Sequence, residues 1–302
     1  MSARQIAWRT ALLSALLPLA ATAQDGRVGT IIVAHGGSTE WNGYVRDVAK
    51  QVKTGGPVEV SFLMGPDAAT TRFQDVAGSL EKSGVQSIVV VPLLVSSHSE
   101  HYQQVRFLAG LTDSINHALH AMMGHSNLEP VKLKVPIVVS RSLDDSPVMA
   151  DILAERALAL AKTPSRQALF LVGHGPTTAD DYANWMTNLR TVVDTVRRRT
   201  PFADVRVDLV RDDAPPLVRS EAVRRVRELI EMQYRITRDT VVVVPVLISK
   251  GRVSRETFMK DLEGLPVVYS GEPLLPHTGL ARWVEQRVAE SRKATSTTSD
   301  TR

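Results

Sequence analysis

The sequence predicts an α/β protein of two tandem lobes, each a four-stranded parallel sheet flanked by helices. Three observations predict it. Continuous β-branched runs alternate with helix-period segments, the pattern of parallel strands buried on both faces and joined by crossover helices. The series of four strands runs twice along the 302 residues. The punctuation repeats with it: Ala34-His35-Gly36 matches Gly173-His174-Gly175, and Val89-Val90-Val91-Pro92-Leu93-Leu94 matches Val242-Val243-Val244-Pro245-Val246-Leu247.

The chain opens on a targeting pattern. Arg4 and Arg9 precede an apolar run from Ala11 to Ala21, and Ala21-Thr22-Ala23 supplies small residues for a signal peptidase. This predicts a secretory signal peptide over residues 1–23, cleavage after Ala23 and export to the periplasm. The run is too short to span a bilayer, and no cysteine follows it to carry a lipid. In the first lobe, expected over residues 24–164, strands are predicted at Thr30–Ala34, Val58–Leu63, Ser87–Val91 and Val135–Val139. Helix-period segments lie near 41–53, 69–83 and 103–123. Pro164 breaks the helix that ends this lobe. In the second lobe, residues 165–290, strands are predicted at Ala168–Val172, Val205–Val210, Thr240–Val244 and Pro266–Tyr269. Helices fall near 179–199, 216–234 and 252–262. Ser142-Leu143-Asp144-Asp145-Ser146-Pro147 of the first copy stands opposite Pro273-Leu274-Leu275-Pro276-His277-Thr278 of the second. Ser291 to Arg302 is rich in Ser and Thr and predicts a disordered tail.

Composition narrows the chemistry. Hydrophobic residues are 43% and charged residues 23%, which are globular values. Cysteine is absent, so disulfides, thiolate zinc sites, iron–sulfur clusters and cysteine nucleophiles are excluded. Any metal must be held by His, Asp or Glu. The net charge of +4 comes without a basic, aromatic-interleaved stripe, so no nucleic-acid partner is expected. A Gly-x-Ser-x-Gly elbow, a P-loop, a Gly-x-Gly-x-x-Gly and an Arg-His-Gly phosphomutase start are likewise absent.

The informative residues sit at strand ends. His35 ends the first strand, with Gly36 and Gly37 behind it to let a ligand approach the backbone. His98 and His101 follow the third strand, with Glu100 between them. In a flavodoxin-like order the first and third strands are neighbours, and their carboxyl ends form the ligand crevice. His35 and His98 or His101 can therefore converge, and imidazoles with a carboxylate suit Co2+, Ni2+, Fe2+ or Zn2+. The second copy keeps His174 but reads Ser249-Lys250-Gly251-Arg252-Val253-Ser254 where the first reads Ser96-Ser97-His98-Ser99-Glu100-His101. It offers cations, among them Lys250, Arg252 and Arg255, in place of ligands.

The strand–His-Gly–helix opening, the Val-Val-Val-Pro-Leu strand leading to a His-bearing loop, and the duplication resemble the class II tetrapyrrole chelatases. The likeness is to the sirohydrochlorin cobaltochelatase branch in its long, two-repeat form, over roughly Arg27 to Val288. The resemblance implies two flavodoxin-like, chelatase-like lobes around a cleft. It also implies an ATP-independent lyase that inserts Co2+, or Ni2+ or Fe2+, into an acidic sirohydrochlorin-type tetrapyrrole in cobalamin- or sirohaem-type biosynthesis. The metal histidine after the first strand carries over to His35. The family's Gly-x-His slot eight residues past the proline is Glu100 here, flanked by His98 and His101, and the family's His-Gly-Ser is His-Gly-Gly. The expected metal ligands are thus His35, His98 and His101, and the expected proton-handling residues are His35, Glu100 and His101. Substrate carboxylates would meet Arg106, Arg141 and Arg252, with Arg46 and Arg255 as further candidates. His117 and His120, spaced i, i+3 and followed by His125, form a second, weaker metal motif. Trp41, Trp185 and Trp283 are expected to serve packing. A second reading is an exported, non-catalytic metal- or tetrapyrrole-binding protein of chelatase ancestry, which the signal peptide suits.

Overall fold

A computed structural model describes residues 27–113 and 129–299. The first lobe runs β1 (Val28–Ala34), α1 (Thr39–Gln51), β2 (Val58–Phe62), α2 (Phe73–Lys82), β3 (Ser87–Leu93), α3 (Glu100–Leu108), β4 (Ile137–Val139) and α4 (Pro147–Leu160). The second runs β5 (Ala168–Gly173), α5 (Ala179–Arg199), β6 (Asp204–Leu209), α6 (Pro216–Thr237) and β7 (Val241–Val246). A π-helical turn (Val253–Thr257) then leads into α7 (Phe258–Asp261), followed by β8 (Val267–Tyr269) and α8 (Gly279–Ser299). The predicted signal peptide and the His117, His120 and His125 motif lie outside the described residues.

Both sheets are four-stranded and parallel, ordered β2-β1-β3-β4 and β6-β5-β7-β8. β1 and β3 end level, with Ala34 opposite Leu93, and in the second lobe Gly173 stands opposite Val246. All seven residues of β1 are buried, as expected of a strand covered on both faces. Its side chains alternate between two cores: Ile32 and Ala34 face the centre of the molecule, while Ile31 and Val33 face α2 and α3. β5 repeats this, with Leu169 and Leu171 inward and Phe170 and Val172 toward α6. The helices that follow β1, β3 and β5 each start on a side-chain cap. Ser38 accepts from the Trp41 N–H, Ser99 from the Tyr102 N–H and Thr178 from the Asp181 N–H, each at 3.2 Å. Those caps fix where the residues after each strand turn into helix.

The final helix of each lobe crosses to the other. α4 packs on β7 and α5, and α8 packs on β3 and α1. The central core therefore draws on both sheets and runs without a break from Ile32 and Val91 to Leu171 and Val244. Polar bonds rim it: the Lys53 N–H donates to Glu285 at 2.7 Å, Arg156 donates to the Pro276 carbonyl at 2.8 Å, and Arg255 pairs with Glu40 at 2.8 Å. A disordered tail was expected from Ser291, but α8 continues to Ser299. Ser291 is only 9% exposed, so the helix is still seated on the core where the polar composition begins, and Arg287 and Glu290 pair at 2.9 Å one turn earlier.

Candidate active site

A cavity of about 580 Å3 opens between the lobes at the carboxyl ends of the strands. His35, Glu100 and His101 of the first lobe line it, facing His174, Thr177, Asp212, Asp213 and Arg252 of the second. This is the crevice that the strand order predicts.

His35 leaves β1 in a sharp turn. Gly36 takes φ +90°, and a Cβ there would lie 2.1 Å from the Met64 carbonyl oxygen, so only glycine fits. The turn brings the Gly36 carbonyl to His35, whose Nδ1 donates to it at 2.7 Å. His101 stands on the first turn of α3, with its Nδ1 donating to the buried Gln104 Oε1 at 3.1 Å. In both rings the Nδ1 proton is engaged, which leaves the Nε2 lone pair for a ligand. The two rings meet edge to face, with centroids 4.6 Å apart. Among the described residues no group of three or more His, Asp or Glu side chains is placed to hold a metal. The site is an imidazole pair on the wall of the cavity.

Burial, and then the neighbouring His35, pushes the His101 pKa down from 6.5 to about 4. His101 is therefore neutral near pH 7. The unfolded chain binds a proton at this residue below 6.5 and the folded chain does so only below about 4. Its contribution to stability is thus present above pH 6.5 and is lost as the pH falls toward 4. Urea titrations are expected to show stability falling by roughly 3 kcal/mol across that window from this residue. His101→Gln should flatten the fall, and an unchanged slope in that variant would contradict the burial argument.

The loop that carries these residues hangs on Asp144, which is 2% exposed and adopts φ +47°. Its carboxylate accepts from the Ser97 N–H at 2.7 Å, the Ser97 hydroxyl at 2.8 Å, Arg141 Nε at 3.1 Å and Asn188 Nδ2 at 3.3 Å. Asp144 was not singled out from the sequence. The second lobe has the same backbone arrangement, with Leu274 and Leu275 bonded to Leu247 and Ile248 as Leu143 and Asp144 are to Leu94 and Val95. Leu275 takes the place of Asp144 there, so that loop has no such anchor.

The remaining expected residues divide. Glu100 lies in the cavity and accepts a short hydrogen bond from Thr177 across the cleft. Arg252 reaches the rim, its side chain 68% exposed and its nearest carboxylate, Asp212, at 3.8 Å. His98 stands outside the lining set; its carbonyl accepts from Trp185 Nε1 at 2.6 Å, so this residue holds the lobes together through its backbone. Arg106 and Arg141 are also outside the lining, and Arg141 is committed to Asp144. Arg46 is paired with Asp67 at 2.7 Å and Arg255 with Glu40. The tryptophans pack as expected: Trp283 and Trp185 lie in the core and Trp41 packs against it, while Trp41 and Trp185 also form part of the cavity wall. Helical spacing of apolar residues marks a covered face without saying whether protein or ligand covers it.

Fold and site together define a two-lobed parallel α/β protein of the chelatase type, with an open imidazole pair in its interlobe cleft. Residues 29–160, the first lobe, match the CbiX family model. Among solved structures, SirB from Bacillus subtilis with Fe3+ aligns with a TM-score of 0.63 at 16% identity, over 89% of this chain and 97% of that one. The sirohydrochlorin chelatase SirB from Bacillus subtilis subspecies spizizenii in complex with cobalt gives 0.55 at 16% identity, over 88% and 96%. DR2241 from Deinococcus radiodurans, a multi-domain protein with structural similarity to chelatases and two additional novel domains, gives 0.52 at 19% identity, over 87% and 55%. At these identities the likeness is one of fold. No curated protein matches the chain.

Proposed function

We propose that this protein inserts a divalent metal ion, Co2+ in preference to Ni2+ or Fe2+, into a sirohydrochlorin-type tetrapyrrole without ATP, in cobalamin- or sirohaem-type biosynthesis. The observation that carries the proposal is the His35–His101 pair, two imidazoles with engaged Nδ1 atoms at the wall of one cavity. Neutral imidazole is a good ligand for these borderline ions. Two protein ligands hold the ion while leaving positions for the incoming pyrrole nitrogens, which a closed ligand set would block. Trp41 and Trp185 offer apolar, aromatic wall to a flat macrocycle. Arg252 at the rim, exposed and held by Asp212 at 3.8 Å and the Thr257 hydroxyl at 3.1 Å, can exchange these partners for a substrate carboxylate. Glu100 can take a proton released from a pyrrole nitrogen. The protein would work in the periplasm after export on residues 1–23, and among the described residues no helix is long and apolar enough to cross a membrane.

The test mixes purified protein with Co2+ and sirohydrochlorin and follows the absorption change. Insertion faster than in buffer is the expected result. Binding of metal or tetrapyrrole without acceleration would overturn the catalytic reading in favour of an exported carrier.

A further inference from the structure

We propose that Asp212 is a positioning residue for substrate recognition: it occupies Arg252 at the cavity rim until a substrate carboxylate takes its place. The inference rests on the tetrapyrrole reading above and deepens it by assigning how the acidic groups of the substrate are sorted. Among the described residues that line the cavity, Arg252 is the only lysine or arginine, whereas Glu100, Asp212 and Asp213 bring three carboxylates. An anionic substrate is therefore repelled from the interior and attracted at one point of the rim. Competition for Arg252 sets how strong that attraction is.

The chain builds Asp212 as a fixed group. Arg211 before it takes φ +53°, and the Asp212 N–H donates to the His174 carbonyl at 3.0 Å, so the backbone after β6 is pinned to the turn after β5. The Asp212 side chain is 10% exposed. One of its oxygens accepts from Arg219 Nε at 3.1 Å, and Arg219 reaches on to Asp261 of α7 at 2.8 Å. The other oxygen meets the Arg252 guanidinium at 3.8 Å. Arg252 is largely exposed, so its end of the pair can swing while the Asp212 end cannot. An exposed pair of this length is weak. A guanidinium bonded at two points to a carboxylate is stronger, so a substrate carboxylate displaces Asp212, which keeps Arg219 as its partner. Asp213 lines the same cavity and forms no ion pair among the described residues, which makes it the natural control.

The test is equilibrium binding of two metal-free porphyrins, the octacarboxylate uroporphyrin and the dicarboxylate deuteroporphyrin, followed by quenching of tryptophan fluorescence, since Trp41 and Trp185 lie in the cavity wall. Asp212→Asn frees Arg252 and is expected to bind the octacarboxylate about threefold to fivefold more tightly than wild type, and the dicarboxylate within about twofold. Asp212→Glu keeps the charge and should return wild-type affinity for both. Asp213→Asn removes the same charge from the cavity without freeing Arg252, and should leave both affinities within about twofold. Arg252→Gln should weaken the octacarboxylate by about tenfold, and adding Asp212→Asn to it should recover no more than about twofold. A merely structural Asp212 would not produce this dependence on Arg252. Unchanged octacarboxylate affinity in Asp212→Asn, equal gains from Asp212→Asn and Asp213→Asn, or a full gain without Arg252 would overturn the assignment alone. A wild type that binds neither porphyrin would overturn the tetrapyrrole reading, and this inference with it.

Discussion

Replacing His35 with alanine is expected to lower Co2+ affinity by more than about a hundredfold and to abolish measurable insertion. The magnitude follows from the ligand count. Outer-shell partners of a bound metal are each worth about tenfold to a hundredfold in affinity, and a direct ligand is worth more. With a pair rather than a closed set, losing one imidazole leaves the ion with a single protein nitrogen. His101→Ala should behave in the same way. His98→Ala should bind Co2+ within about twofold of wild type, because the bonds of this residue run through its backbone, the carbonyl accepting from Trp185 and the N–H donating to Ser96. Spectroscopic Co2+ titration of the three variants separates the two histidines after β3. A large effect at His98 with none at His101 would reverse the assignment.

Asp144→Ala should have the largest effect on stability of any change near the site, about 3 kcal/mol. The substitution strips acceptors from the Ser97 N–H and hydroxyl and from Asn188, and leaving buried donors unpaired costs about 1–3 kcal/mol. Alanine at φ +47° adds roughly 1 kcal/mol of backbone strain. Asp144→Asn should cost less, since asparagine tolerates that conformation and keeps an acceptor oxygen. Urea denaturation measures the loss, and insertion kinetics should fall in the same order as the loop bearing Glu100 and His101 loosens. Equal stability of the alanine variant and wild type would show that Asp144 is not the anchor.

Much of this architecture is legible in the residues. Runs such as Thr30–Ala34 and Val241–Val244 can only be strands covered on both sides, and their duplication implies two lobes. The strand order follows from the family of folds that such alternation builds, and it brings His35 beside the loop after β3. Which residue of that loop reaches the cavity was not legible. It depends on where Ser99 caps α3: the cap puts His101 on the first helical turn, while His98 stays in the loop with its carbonyl bound across the lobes. Asp144 and Leu275 are equivalent in the repeat, and nothing local distinguishes an anchoring carboxylate from an ordinary loop aspartate. Its role depends on Asn188, Arg141 and Ser97, which the chain brings together from distant positions.

The sequence by itself determined the alternation of strands and helices, the two lobes, the absence of thiol chemistry and the strand-end position of His35 and His174. These are local properties, set by side-chain branching, period and composition. Only the tertiary structure decided that both histidines face one cavity, that Trp41 and Trp185 wall it, and that α4 and α8 each cross to the opposite lobe. Those facts rest on contacts between residues far apart in the chain, and such contacts depend on how two whole lobes pack rather than on any stretch of sequence.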